Sequence, residues 1–154
     1  MTERRKAQRR LFLRLLLIVT LCFIWGNSLL TREESADVSR GLLELLSPLL
    51  DDLGMDTGDD LWLRKAAHFG EFCALGCELT LLFCLNTTLC LHSVCMAALC
   101  ALMTAAIDET LQFLTGRAGM VQDVLRDFLG ALVGMGLVLL IQIGRKNKHG
   151  KAGA

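Results

Sequence analysis

Four stretches, each near the roughly 20 residues that a helix needs to cross a hydrocarbon core, restrict this chain to very few folds. They are LFLRLLLIVTLCFIWGNSLL (11–30), AAHFGEFCALGCELTLLFCL (66–85), LCLHSVCMAALCALMTAAI (89–107) and VLRDFLGALVGMGLVLLIQI (124–143). Hydrophobic residues make up 53% of the chain and mean hydropathy is +0.49, too apolar for an ordinary soluble domain. At 154 residues there is room for one domain. The expectation is an all-α integral membrane protein with four transmembrane helices.

Charge near the span ends orients them. Arg4, Arg5, Lys6, Arg9 and Arg10 precede the first span, and Arg145, Lys146, Lys148 and Lys151 follow the last. Residues 31–61 hold nine acids against two arginines. This predicts basic cytoplasmic tails at 1–10 and 144–154, a membrane domain at 11–143, and an outward 31–61 loop. A basic start before an apolar run also fits a signal peptide, with GNS at 26–28 as a poor cleavage match, but no A-x-A-like site follows. The first span is therefore expected to be an uncleaved helix. Within the loop, SRGLLELLSPLLDDLG (39–54) spaces its leucines like one face of a short outer interfacial or partly re-entrant helix. It would serve either as a lid over the outer end or as a plain connector. Six of the seven cysteines lie inside spans and Cys90 at a span edge, so they read as small packing residues rather than disulfides.

The alternating topology brings the ionisable residues to one face. Lys65, His68 and Glu71 begin the second span, Asp108, Glu109, Gln112 and Arg117 end the third, and Asp123, Arg126 and Asp127 begin the fourth. The opposite loop, NTTLCLHS, has no comparable group. On a helix His68, Glu71 and Glu78 share one stripe, while Asp108 with Gln112 and Asp123 with Asp127 are one turn apart. Gly130 and Gly134 continue the Asp123–Asp127 face, where a glycine pair lets a neighbouring helix approach closely. Glu78, roughly 20 Å deeper than Lys65, is expected to be protonated or paired with another helix and to be structural.

Ionisable groups inside a membrane are costly and point to function by default. Three chemistries fit the set. Lys65 and Arg117 could bind a lipid-linked phosphate, with His68 and Glu71 or Glu109 handling protons. Carboxylates and His68 could instead hold a divalent metal, although HFGE matches no established ligand motif. The third option is proton binding or relay without a reaction. A plain structural reading competes with all three, with Arg117 bridging Asp123 or Glu109 and Lys65 anchoring at headgroups.

RKAAHFGEFCALG and IDETLQFLTGRAGMVQDVLRDFLGALVG together resemble the VanZ-like family of bacterial membrane proteins. The shared pattern runs K-x-x-H-x-x-E, then D-E-x-x-Q-x-F-x-x-x-R, then D-x-x-x-N-x-x-G-x-x-x-G, over about residues 27–140. Carried over, its polar positions are Lys65, His68, Glu71, Asp108, Glu109, Gln112, Arg117 and Asp123. Asp127 departs from the pattern, standing where the family usually has Asn. The resemblance implies envelope work; the founding member is associated with low-level resistance to the glycopeptide teicoplanin. Candidates for chemistry are then His68, Glu71, Asp108, Glu109 and Asp123, and candidates for binding are Lys65, Gln112, Arg117 and Asp127. Expected partners are membrane lipids and a lipid-linked envelope precursor, with no nucleic acid. Cofactor and metal stay open, as does enzymatic activity. The competing reading is a non-enzymatic protein that shields or organises envelope components.

Overall fold

The computed structural model describes residues 3–52, 60–84, 91–117 and 120–151. Five helices follow in order: α1 (Glu3–Ser28), α2 (Arg32–Asp52), α3 (Asp60–Cys84), α4 (Leu91–Leu114) and α5 (Val121–Lys151). Four of them, all but α2, are long and apolar enough to span a membrane. The chain is an all-α integral membrane protein, as its hydropathy predicts. Large apolar side chains such as Phe12, Val19, Met103, Leu125 and Leu140 stand exposed around the bundle. In water such a surface would drive association; in lipid it meets a matching solvent.

The helices reach beyond the apolar runs. Residues 3–10 extend α1, and α5 continues to Lys151, so most of both basic segments is helical. The interfacial helix is also longer than its leucines indicate, beginning at Arg32 rather than 39. Its start is a reciprocal cap. The Glu34 carboxylate accepts from the Thr31 amide (2.9 Å) and hydroxyl (2.8 Å), while the Thr31 hydroxyl accepts from the Glu34 amide (3.3 Å). The signal is legible as T-R-E-E. Residues 53–54, the end of the expected 39–54 segment, lie outside the described residues, as does Cys90.

Packing centres on α3, which contacts all four other helices and α5 most extensively. The α3–α5 seam is built by glycine. A Cβ added at Gly130 would come 2.6 Å from the Phe69 carbonyl oxygen. At Gly134 it would overlap the Cys73 carbonyl, and at Gly76 that of Ala131. The backbones thus approach as the Gly130–Gly134 spacing predicts, with Gly76 completing the seam from the α3 side. On α4 the small face is Ala97, Ala101 and Ala105, all fully buried against Phe72, Leu75 and Ile24. Hydroxyls inside the bundle bond back to their own helix, Thr80 to the Gly76 carbonyl (2.8 Å) and Thr104 to that of Cys100 (2.9 Å). Cys77 packs at the seam with its thiol 3.3 Å from the Gly134 carbonyl, and the described cysteines are all free.

Candidate functional site

The C-terminal ends of α1 and α4 and the N-terminal ends of α3 and α5 meet at one end of the bundle. The turn from α4 to α5 shows how local sequence sets this up. Helix α4 closes with Gly116 at φ 79°, a conformation that glycine adopts without penalty. The Gly116 amide donates to the Phe113 carbonyl (3.2 Å) and the Arg117 amide to that of Gln112 (3.0 Å), the paired bonds of a Schellman cap. The cap reverses the chain and brings Arg117 back over the end of α1, where its guanidinium donates to the Asn27 carbonyl (3.3 Å). Glu109 braces the other side of the turn by accepting from the Met120 amide at 2.6 Å.

Asp108 sits at the middle and is fully buried. Ser28 of α1 donates to one of its oxygens (2.5 Å) and Gln112, one turn along α4, to the other (2.8 Å). Thr115 ties the same corner together by donating to the Ser28 carbonyl (3.2 Å). From α3, His68 presents a ring nitrogen, and from α5, Asp127 presents a carboxylate. One ligand atom from each of His68, Asp108 and Asp127 lies within 4.8 Å of the other two. Glu71, one turn from His68, accepts from the Asn27 amide group (3.2 Å) with one oxygen and approaches His68 Nδ1 to 3.6 Å with the other. That separation is too long for a hydrogen bond, and neither atom of the pair has a hydrogen-bond partner.

His68 and Glu71 also border a cavity of about 180 Å³ between α1, α2 and α3. Its other walls are Phe23, Asn27 and Leu30 of α1, Ser35, Val38 and Ser39 of α2, and Arg64 and Ala67 of α3. Helix α2 therefore covers this side of the polar end instead of merely connecting two spans. Arg64, not Lys65, is the cation on the cavity wall; Lys65 is half-buried.

Several residues expected from sequence therefore converge: His68, Glu71, Asp108, Gln112 and Asp127. Arg117 and Glu109 frame the same end through backbone contacts. Asp123 turns aside to pair with Arg126. Arg126 is thus not the partner of Asp127, which is 3% exposed and directed into the bundle. Glu78 pairs far from this end, accepting from Thr20 of α1 at 2.8 Å, the pairing with another helix that its depth predicts.

Asn27, Ser28 and Arg64 have the weakest sequence signals. Asn27 and Ser28 stand in a G-N-S triplet that also resembles a cleavage site, and their polarity at the end of an apolar run was the only clue to a buried role.

The VanZ/LLP1 family matches residues 12–142, most of the chain and all five helices in part or whole. No curated protein and no solved structure matches it. The match spans every element that contributes to the polar end, and the chain belongs to the VanZ-like family.

Proposed function

We propose that this VanZ-like protein lies in the bacterial cell membrane with both termini cytoplasmic, presents its polar end outward, and binds the head group of an envelope lipid or lipid-linked precursor. Binding there contributes to tolerance of teicoplanin-type glycopeptides. The observation that carries the reading is the cavity beside His68. Arg64 supplies a bidentate donor for phosphate or carboxylate, and Asn27, Ser35 and Ser39 supply neutral polar contacts. Phe23, Leu30 and Val38 give the apolar wall that an acyl or prenyl chain requires. The cavity measures about 180 Å³. That suits a head group and falls short of the roughly 300–1,000 Å³ of drug-sized sites. A lipid, not the glycopeptide, is thus the favoured occupant. If the bound lipid is also transformed, His68 and Glu71 are the cavity-wall side chains able to give and take protons. The basic flanks and the acidic 31–61 loop support the orientation.

A non-enzymatic role in organising envelope components draws on a separate observation: Glu109 and Asp123 are already committed to the α4–α5 turn and to Arg126.

The test is susceptibility of a sensitive Gram-positive host expressing wild type, His68→Ala or Arg64→Gln at matched membrane abundance. Lipidated and unlipidated glycopeptides are compared. Protection against the lipidated drug alone, lost in both variants, is the expected outcome. Absence of protection by wild type, or protection undiminished in both variants, refutes the reading.

A further inference from the structure

Among the described residues Asp127 has no ordinary partner. It is 3% exposed, yet its carboxylate forms no hydrogen bond or ion pair with the described residues, because Arg126 is engaged by Asp123. A buried carboxyl group is normally hydrogen-bonded, protonated or bound to metal. The neighbours within reach are themselves metal-ligand types: the carboxylate of fully buried Asp108 and the imidazole of His68, all three within 4.8 Å of one another. They come from α5, α4 and α3, so the cluster is a product of helix packing rather than of one acidic run.

We propose that His68, Asp108 and Asp127 bind a divalent transition-metal ion, zinc by ligand type, at the junction of α3, α4 and α5. The charges close, since two carboxylates and a neutral imidazole balance a dication. One nitrogen and two oxygens suit zinc first and manganese next, whereas calcium and magnesium favour oxygen donors throughout. Ligand atoms bonded to one zinc at about 2.1 Å stand about 3–4 Å apart, so the three side chains close on the ion by small rotations. The surroundings supply orienting contacts of the kind metal ligands require. Ser28 and Gln112 hold Asp108. Glu71 stands 3.6 Å from Nδ1 of His68, so closing that gap by a few tenths of an ångström would complete a carboxylate–histidine–metal arrangement when the other ring nitrogen binds the ion. Three protein ligands leave a position open for water or another ligand, the pattern of catalytic and not structural zinc. His68 belongs both to this set and to the cavity wall, which places the ion beside the proposed head-group pocket. The metal site stands without the lipid reading, because its test reads metal content alone.

The full chain, carrying a histidine-free tag, is purified into nanodiscs, stripped with chelator, and reloaded separately with Zn²⁺, Mn²⁺ and Mg²⁺. Bound metal per chain after desalting is measured by mass spectrometry. One zinc per chain is expected for wild type and for His92→Ala, which removes an exposed histidine at the other end of α4. Stoichiometric binding is expected to disappear in His68→Gln and Asp127→Asn. Ser28→Ala should weaken affinity by about 10–100-fold. Asp127→Asn keeps side-chain shape, and its helical circular dichroism confirms that loss of metal is not loss of fold. Zinc retained in both ligand variants overturns the proposal, as does zinc lost only from Cys73→Ser with Cys77→Ser, or no zinc held by wild type.

Discussion

Replacing Gly134 by alanine tests the contact that aligns α5 on α3, and with it the placement of Asp127 beside His68. Alanine in a helix interior normally gains up to about 1 kcal/mol over glycine. Gly136 offers that gain cleanly, since a Cβ there meets nothing within 4 Å. At Gly134 the same Cβ overlaps the Cys73 carbonyl oxygen and lies 3.1 Å from the Cys77 amide nitrogen. These are backbone atoms, so no side-chain rotation relieves the overlap, and the two helices must separate by on the order of 1 Å. Overpacking of this kind costs about 1–3 kcal/mol. Because propensity changes equally at both sites, the gap between Gly136→Ala and Gly134→Ala reads the packing term directly. Equilibrium unfolding in bicelles should place Gly134→Ala about 1–3 kcal/mol below Gly136→Ala. Equal stability of the two variants would refute the seam argument, and with it the idea that helix spacing sets the site.

Four further outcomes are expected. Gly116→Ala places a side chain at φ 79° and should cost about 1–2 kcal/mol in the same unfolding assay. Ser28→Ala removes the donor to fully buried Asp108 and should destabilise by about 1.5–3 kcal/mol, more than Ser28→Thr, which keeps a hydroxyl. Thr20→Val removes the donor to buried Glu78 and should cost about 1–3 kcal/mol, whereas combining it with Glu78→Leu should recover much of the loss. The Thr31 amide and hydroxyl hold the Glu34 carboxyl below its ordinary value of 4.5. A lowered folded-state value means that the cap contributes fully above about pH 4.5 and is lost as pH falls through the folded value. Hydrogen exchange in the first turn of α2 should therefore quicken, beyond the intrinsic trend, between pH 5 and 3 in wild type but not in Glu34→Gln.

Hydropathy alone carries the four spans, because no other fold gives runs of that length a matching solvent. The gathering of ionisable residues at one end is equally legible, since antiparallel spans return alternate helix ends to the same side. The small residues of α5 were readable too: Gly130 and Gly134 meet the α3 backbone as their spacing indicates. Sequence reasoning fell short at α2, whose T-R-E-E cap lies ahead of the leucine pattern, and at Asn27, Ser28 and Arg64. Polar residues at a span end look alike whether they face headgroups or a buried carboxylate.

What periodicity could not separate was Asp123 from Asp127. They lie one turn apart on one face, yet Asp123 pairs with Arg126 near the rim while Asp127 is sealed inside beside Asp108 and His68. Likewise Glu71, not Glu109, approaches His68, since Glu109 is taken by the Met120 amide. Helical spacing relates residues on one helix to each other but leaves each helix free to rotate and slide against its neighbours. Those two freedoms are removed only where glycine and alanine let the backbones touch, and that contact decides which carboxylates share a centre.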